Sequence, residues 1–259
     1  MKTILAAGRP QLVGGWKPDL ADHRDFVMQL PSPEVSAATL RDRWLLAIRN
    51  QGNIGTCTAN GSLEAEGWLS VRAGKPDPVL SRLFQYWNTR VKIENVAATN
   101  DSGCTIRDSI KTLAQIGACA ESLWPYSDDP NTFTLTPPQE CFDVAAQKKA
   151  LFFYRCPDLN TIKASIAQGF PVVFGFNVPQ NFESDECAAT GIIQMPTAAE
   201  EYLGGHCMLF AGWDDARQQL DGPNSWGADW GDQGWFHMPY GMVEQSIVSD
   251  AWTLRRVLL

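Results

Sequence analysis

The chain has 259 residues, of which 44% are hydrophobic and 19% charged, with a formal net charge of −8 and a pI of about 4.9. That length and composition suit a globular chain able to bury one large core or two lobes. The acidic balance and the lack of a basic stripe exclude nucleic acid as an expected partner, and no apolar run reaches the roughly 18 residues of a membrane helix.

Residues 1–40 contain Pro10, Pro18, Pro31 and Pro33 and show little periodicity. The apolar stretch near Met1 is shorter than the roughly 7–15 residues of a secretory h-region, so no signal peptide is read there. Apolar and aromatic groups at Leu12, Val13, Trp16, Leu20 and Phe26 need somewhere to bury, which makes this segment an arm docked on the rest of the chain, residues 1–15 in or over a cleft and Trp16 to Phe26 anchoring it to the body. His23 reads as a surface residue of that arm. From Thr58 to Arg72 no Pro interrupts, Ala59, Leu63 and Trp68 recur near helical spacing, and Gly74 and Pro76 supply a stop. Leu80–Arg90 is a second helix with Leu80, Phe84 and Trp87 on one face. Ile106 to Ile116 is a third, closed by Gly117. Asp128 to Pro138 reads as a loop.

After residue 150 the pattern turns to strands. Leu151–Tyr154, Pro171–Val178, Cys207–Trp213, Gly234–Met238 and Ala251–Val257 are β-rich, with a short helix from Leu159 to Gln168. His237 lies in an alternating strand and is assigned to structure. Leu220-Asp-Gly-Pro223 reads as a turn, since Pro removes a ladder donor. Helices followed by strands give an α+β fold, with a substrate cleft expected between the two lobes.

The chemistry-bearing stretch is Asn50–Asn60. Cys57 opens a helix, where unpaired backbone N–H groups and the helix dipole favour a thiolate. Gln51, six residues earlier, is placed to donate its side-chain amide to an oxyanion beside the Cys57 N–H. Taken alone, Cys57 reads as well as a buried structural thiol. Two later stretches change that: Leu203-Gly-Gly-His206, with open glycine backbone before the His, and Asn224-Ser-Trp-Gly-Ala-Asp-Trp230. His206 follows Cys57 by 149 residues and Asn224 by 167.

Gln, Cys, His and Asn in this order, with Asn-Ser-Trp-Gly around the Asn, resemble the papain-like cysteine peptidases. Trp124-Pro-Tyr126, Gly191–Pro196 and Gly15–Phe26 resemble segments of the family's bacterial members. The resemblance implies a two-lobed fold with a helical lobe at about 44–150 and a β lobe at about 151–259, within a catalytic domain of residues 35–259. Residues 1–34 would be an N-terminal extension or short propeptide. It implies Cys57 as nucleophile, His206 as general base and acid, Asn224 orienting the imidazole, and Gln51 as oxyanion donor. Trp226 would shield the His206–Asn224 bond and Trp230 would line the leaving-group side. Gly103, with Gly205, would present backbone to an extended substrate. Asp250 or Ser249 would floor the main side-chain pocket, Asp250 favouring a basic substrate residue and Ser249 a large apolar one.

The position three residues before Cys57 is Ile54, so the family's disulfide there is excluded. The other six cysteines allow 15 pairings if all are bridged. No cofactor or metal is implied. The expected partners are a peptide or protein substrate and the chain's own N-terminal arm, as an inhibitor of a monomer. Delivery outside the cytoplasm is the expected location. Two further readings stay open: a narrow-specificity deamidase or transferase on the same thiolate, and an inactive binding module.

Overall fold

A computed structural model describes residues 15–129, 131–147 and 152–255. The parts of the arm before Gly15, and the last residues of the strand expected to reach Val257, lie outside them.

The first helix, α1 (Cys57–Arg72), begins at Cys57 itself and is buried along most of its length. That burial takes in charged residues too, Glu64 and Glu66 among them. α2 (Arg82–Asn88) is capped by the Ser81 side chain and passes into a π-turn at Thr89–Ile93. It is shorter than the spacing of Leu80–Arg90 predicts: Leu80 instead bridges Ala120, and the Thr89 hydroxyl donates to the Gln85 carbonyl at 2.8 Å. α3 (Ile106–Gln115) is capped by Thr105, and α4 (Gln139–Ala145) follows the predicted loop. Leu83, Phe84, Tyr86, Trp87 and Phe133 form the core among these helices.

The second half builds two antiparallel sheets. One contains β2 (Phe152–Arg155), β3 (Val172–Pro179), β4 (Tyr202–Phe210) and β8 (Val248–Arg255), in the order β2-β8-β3-β4. The other contains β1 (Ala37–Thr39), β5 (Gly212–Asp214), β6 (Gln219–Pro223) and β7 (Trp235–Pro239), in the order β1-β5-β6-β7. Short helices α5 (Leu159–Ala167), α6 (Asp185–Thr190) and α7 (Gly241–Glu244) fill the connections. Phe174, Phe176, Phe210, Phe236 and Trp235 pack between the sheets. A third core joins the halves: Leu63, Ile106 and Ile110 meet Val173, Leu209 and Trp252. The arrangement is α+β, as the patterning predicts.

The Leu220–Pro223 segment is not a turn. It is β6, paired to β5 on one side and β7 on the other. Local turn propensity gives way to pairing on both edges, a common tertiary override. Pro223 sits at the strand's end, and Gly222 is there because a Cβ would lie 1.8 Å from the Leu209 carbonyl oxygen. The next residue, Asn224, is held by its N–H donating to the Gly234 carbonyl at 2.8 Å.

Candidate active site

α1 supplies Cys57 and β4 supplies His206, which lies within the strand rather than ahead of it. His206 Nε2 and Asn224 Oδ1 are 2.9 Å apart. The same Asn224 oxygen accepts the Ser225 N–H at 2.7 Å, which fixes the amide with oxygen toward the ring. Nε2 must therefore donate, so a neutral His206 carries its proton there. That leaves Nδ1 with a free lone pair, buried with no hydrogen-bond partner among the described residues. The Trp226 ring lies 5.0 Å from the His206 ring, tilted by 31°, and covers the His206–Asn224 pair. Trp230 is edge-on to Trp226 at 5.6 Å and belongs to the core of the β half; it backs Trp226 rather than forming a wall of its own.

Gln51 is buried. Its side-chain oxygen accepts from the Ser225 hydroxyl at 2.7 Å, and its amide nitrogen donates to the Ile54 carbonyl at 3.2 Å. The Ile54 carbonyl takes only one of the two amide hydrogens. Ser225, whose importance the Asn-Ser-Trp run does not announce by itself, thus holds both Gln51 and Asn224. Tyr126 donates to the Gln51 carbonyl at 2.7 Å and meets the Thr56 hydroxyl at 2.7 Å.

Gly103 has φ +64°, a conformation that favours glycine. Its N–H donates to the Tyr86 hydroxyl at 3.1 Å, and that hydroxyl donates to Asp101 at 2.6 Å. Asp101 also accepts the Gly55 N–H at 3.0 Å. Tyr86 and Asp101 therefore tie the Gly103 edge to the loop before Cys57. Sequence spacing carries no signal for either residue.

The arm occupies this cleft. A Cβ on Gly15 would lie 2.7 Å from Cys57 Sγ. The Cys104 N–H donates to the Gly15 carbonyl and the Lys17 N–H to the Cys104 carbonyl, both at 3.0 Å. Trp16 N–H reaches the Gly205 carbonyl at 3.4 Å. The Trp16–Cys104 bridge is parallel. Beyond it, Asp19 accepts from Trp252 Nε1 at 2.7 Å and donates its own N–H to Asp250 at 2.8 Å. Arg155 pairs with Asp250 and Arg107 with Asp25, and Phe26–Met28 pair with Arg155 backbone. Two details differ from expectation. Trp16 lies in the cleft, not on the body. Leu20 and Phe26 are 84% and 73% exposed, so backbone bonds and carboxylates anchor the arm in their place. His23 is exposed, and His237 meets Asp232 at 3.2 Å. Of the two floor candidates, Ser249 is exposed and Asp250 buried.

With the arm in place both reactive groups are fully buried. Burial pushes the Cys57 thiol up to about 12, although the N–H groups of Cys207, Thr58 and Cys57 itself pull the other way. Burial also pushes His206 down to about 4, against the Asn224 hydrogen bond. The helix terminus alone, which favours a thiolate, is outweighed in this closed state. All seven cysteines are free and buried.

The papain family cysteine protease model matches residues 35–253. A peptidase C1-like protein of Acanthamoeba polyphaga mimivirus is 35% identical over 219 residues, covering 80% of this chain and 69% of that protein. A cathepsin B-like cysteine proteinase of Schistosoma japonicum is 24% identical, covering 88% and 74%. Among solved structures, xylellain, a cysteine protease from Xylella fastidiosa, superposes with a TM-score of 0.85 at 32% identity, covering 98% of this chain and all of that one. Procathepsin L 3 of the Tenebrio molitor larval midgut shares the fold, with a TM-score of 0.66 at 17% identity. With its helical and β halves meeting at Cys57, His206 and Asn224, and a family match over most of its length, this chain is a cysteine peptidase and belongs to the papain family.

Proposed function

We propose that Cys57, His206, Asn224 and Gln51 carry peptide-bond hydrolysis, and that the chain rests as a self-inhibited peptidase with residues 15–17 across its own site. The observation that carries this reading is Gly15 seated against the Cys57 sulfur, its carbonyl accepting from Cys104 of the helical half while Trp16 donates to Gly205 of the β half. A polypeptide backbone in extended form is what the site holds, and it is what the site acts on.

In the open state water reduces the desolvation of both groups. His206 Nδ1 takes the Cys57 proton, and the thiolate is stabilised by the imidazolium and by the N–H groups at the start of α1. The thiolate attacks a peptide carbonyl, whose oxyanion is met by the Cys57 N–H and the second hydrogen of the Gln51 amide. His206 returns the proton to the leaving amine, and water then hydrolyses the thioester on Cys57. The arm itself runs parallel to the Gly103–Cys104 edge.

The test compares three forms: full length, a chain lacking residues 1–17, and the same shortened chain with Cys57→Ala. Turnover of a fluorogenic peptide per titrated thiol is expected to rise when residues 1–17 are removed. It is expected to vanish with Cys57→Ala, because such residues act as a unit. Removal of residues 1–14 alone leaves Gly15 and Trp16 in place and is expected to change little. Equal turnover with and without residues 1–17 overturns self-inhibition.

A further inference from the structure

Cys57 and the backbone edge that receives a peptide come from different segments, and the reaction needs them at one fixed separation. Cys57 follows the loop from Gln51 to Thr56. The edge is Gly103–Cys104, where Cys104 meets the arm through both its N–H and its carbonyl. No disulfide ties the two segments together. Residue 54 is an isoleucine, and all seven cysteines are free.

Two side chains make the tie. Tyr86 of α2 is buried. Its hydroxyl accepts the Gly103 N–H at 3.1 Å and donates to Asp101 Oδ1 at 2.6 Å. The same Asp101 oxygen accepts the Gly55 N–H at 3.0 Å. One hydroxyl and one carboxylate oxygen thus join a backbone N–H just before the nucleophile to a backbone N–H on the peptide-binding edge. The loop packs directly on this bridge: a Cβ at Gly55 would lie 3.0 Å from Asp101 Oδ1 and 3.2 Å from the Tyr86 hydroxyl.

The bridge is itself anchored. The buried Arg90 guanidinium lies 4.3 Å from the centre of the Tyr86 ring. It also donates to the carbonyls of Ala98 and Asn100 at 2.8 and 2.7 Å, which fixes the chain leading into Asp101. Burial first, with Cys104 and Asp101 adding to it, holds the Tyr86 phenol well above its usual range, so the hydroxyl stays protonated and keeps donating.

We infer that Tyr86 and Asp101 are positioning residues of this peptidase, whose hydroxyl–carboxylate bridge sets the distance between the Cys57 loop and the Gly103–Cys104 edge. This rests on the peptidase reading above. The two residues act on different steps. Tyr86 holds the edge, where a peptide binds, and Asp101 holds the loop, where it reacts.

The experiment uses the full chain with Trp16→Ala, so that the arm carries no ring for the recess between Gly175 and Gly205 that Trp16 fills. For a fluorogenic peptide, kcat and KM are measured per Cys57 titrated with an irreversible thiol inhibitor, so that loss of folded protein does not count as loss of rate. Tyr86→Phe, which keeps the ring beside Arg90, is expected to raise KM by about 2- to 12-fold, the size of one net hydrogen bond, with a smaller change in kcat. Asp101→Ala is expected to lower kcat by about 10- to 100-fold, the scale on which a misplaced reacting group loses rate. Asp101→Asn, whose side-chain carbonyl can take both donors, is expected to recover most of that kcat. The double variant of Tyr86→Phe with Asp101→Ala is expected to lose little more than Asp101→Ala alone, because both residues belong to one bridge. Tyr86→Phe carries the test should the Asp101→Ala chain not fold. Unchanged kcat and KM in the single variants overturn the inference and leave the peptidase reading intact. So does Asp101→Asn as slow as Asp101→Ala. A parent whose Cys57 titrates but which cleaves no peptide overturns both.

Discussion

Replacing Trp16 with Ala is expected to open the active site of the full-length chain. A tryptophan side chain buries roughly 150–250 Å², worth about 4–6 kcal/mol at about 25 cal/mol per Å². The unpartnered indole N–H offsets about 1–3 kcal/mol of that. A net of about 1–5 kcal/mol remains, or about 5- to 4,000-fold in the docking equilibrium. Because the recess refills with water when the arm lifts, no lasting cavity adds to the cost. The assay is the rate of iodoacetamide labelling at Cys57 at pH 7, read beside peptide turnover. Burial raises the Cys57 thiol and the arm covers it, so it is little ionised and little accessible when docked, and labelling reports the open form. Both rates are expected to rise together, by up to the stated factor, and to level off once the open form dominates. Trp16→Phe keeps a ring and removes the unmet donor, so it is expected to stay as closed as the parent. Equal labelling of Trp16→Ala and the parent, or opening by Trp16→Phe as large as by Trp16→Ala, refutes the reasoning.

Gln51→Ala, in a chain lacking residues 1–17, is expected to lower kcat by about 10²–10³ while Cys57 still labels. An unchanged kcat places the oxyanion elsewhere. Ser225→Ala frees the Gln51 carbonyl and is expected to act in the same direction but more weakly. Docking of the arm depends on pH through Asp19, which burial and then the neighbouring Asp250 raise from 3.8 to about 6, against Trp252 and Arg107. Protonation thus favours the docked arm, so docking is strongest below about 4 and weakens as pH rises through about 6. The ratio of full-length turnover to that of the shortened chain is expected to climb from pH 5 to pH 7, and to flatten with Asp19→Asn. A ratio that is highest at pH 5 contradicts this sign.

The proposed Cys57, His206, Asn224 and Gln51 set can be read from sequence because the chemistry calls for those residue types in a fixed order, and α1 was legible because nothing interrupts it. What escaped depends on distance through space. Tyr86 and Asp101 act through single hydroxyl and carboxylate contacts that no periodicity marks. The Ser225 hydroxyl reaches a partner 174 residues away. β6 was misjudged because Asp221-Gly222-Pro223 has the local preference of a turn, and only the two flanking strands impose extension. The arm shows the same limit: its apolar residues pointed to docking, yet Leu20 and Phe26 stay in water, while Asp19 and Asp25 do the anchoring beside Arg107, Arg155 and Trp252.

On the proposed reading, inhibition and chemistry share one physical cause. Seating Gly15 and Trp16 excludes water from Cys57 and His206; exclusion of water, with the Asp101 charge adding at the thiol, drives the thiol up and the imidazole down toward a neutral pair. The occupied site is therefore blocked by shape and disarmed by charge at once. The same contacts leave its proton path intact. Asn224, fixed by the Ser225 N–H, keeps the His206 proton on Nε2, and the bare Nδ1 is buried with nothing else to accept. On this reading the return of water is what arms the site, after which the helix N–H groups that burial outweighs favour the thiolate. An inhibitor built this way acts through a few backbone bonds and one ring, and so it can be released by losing that ring.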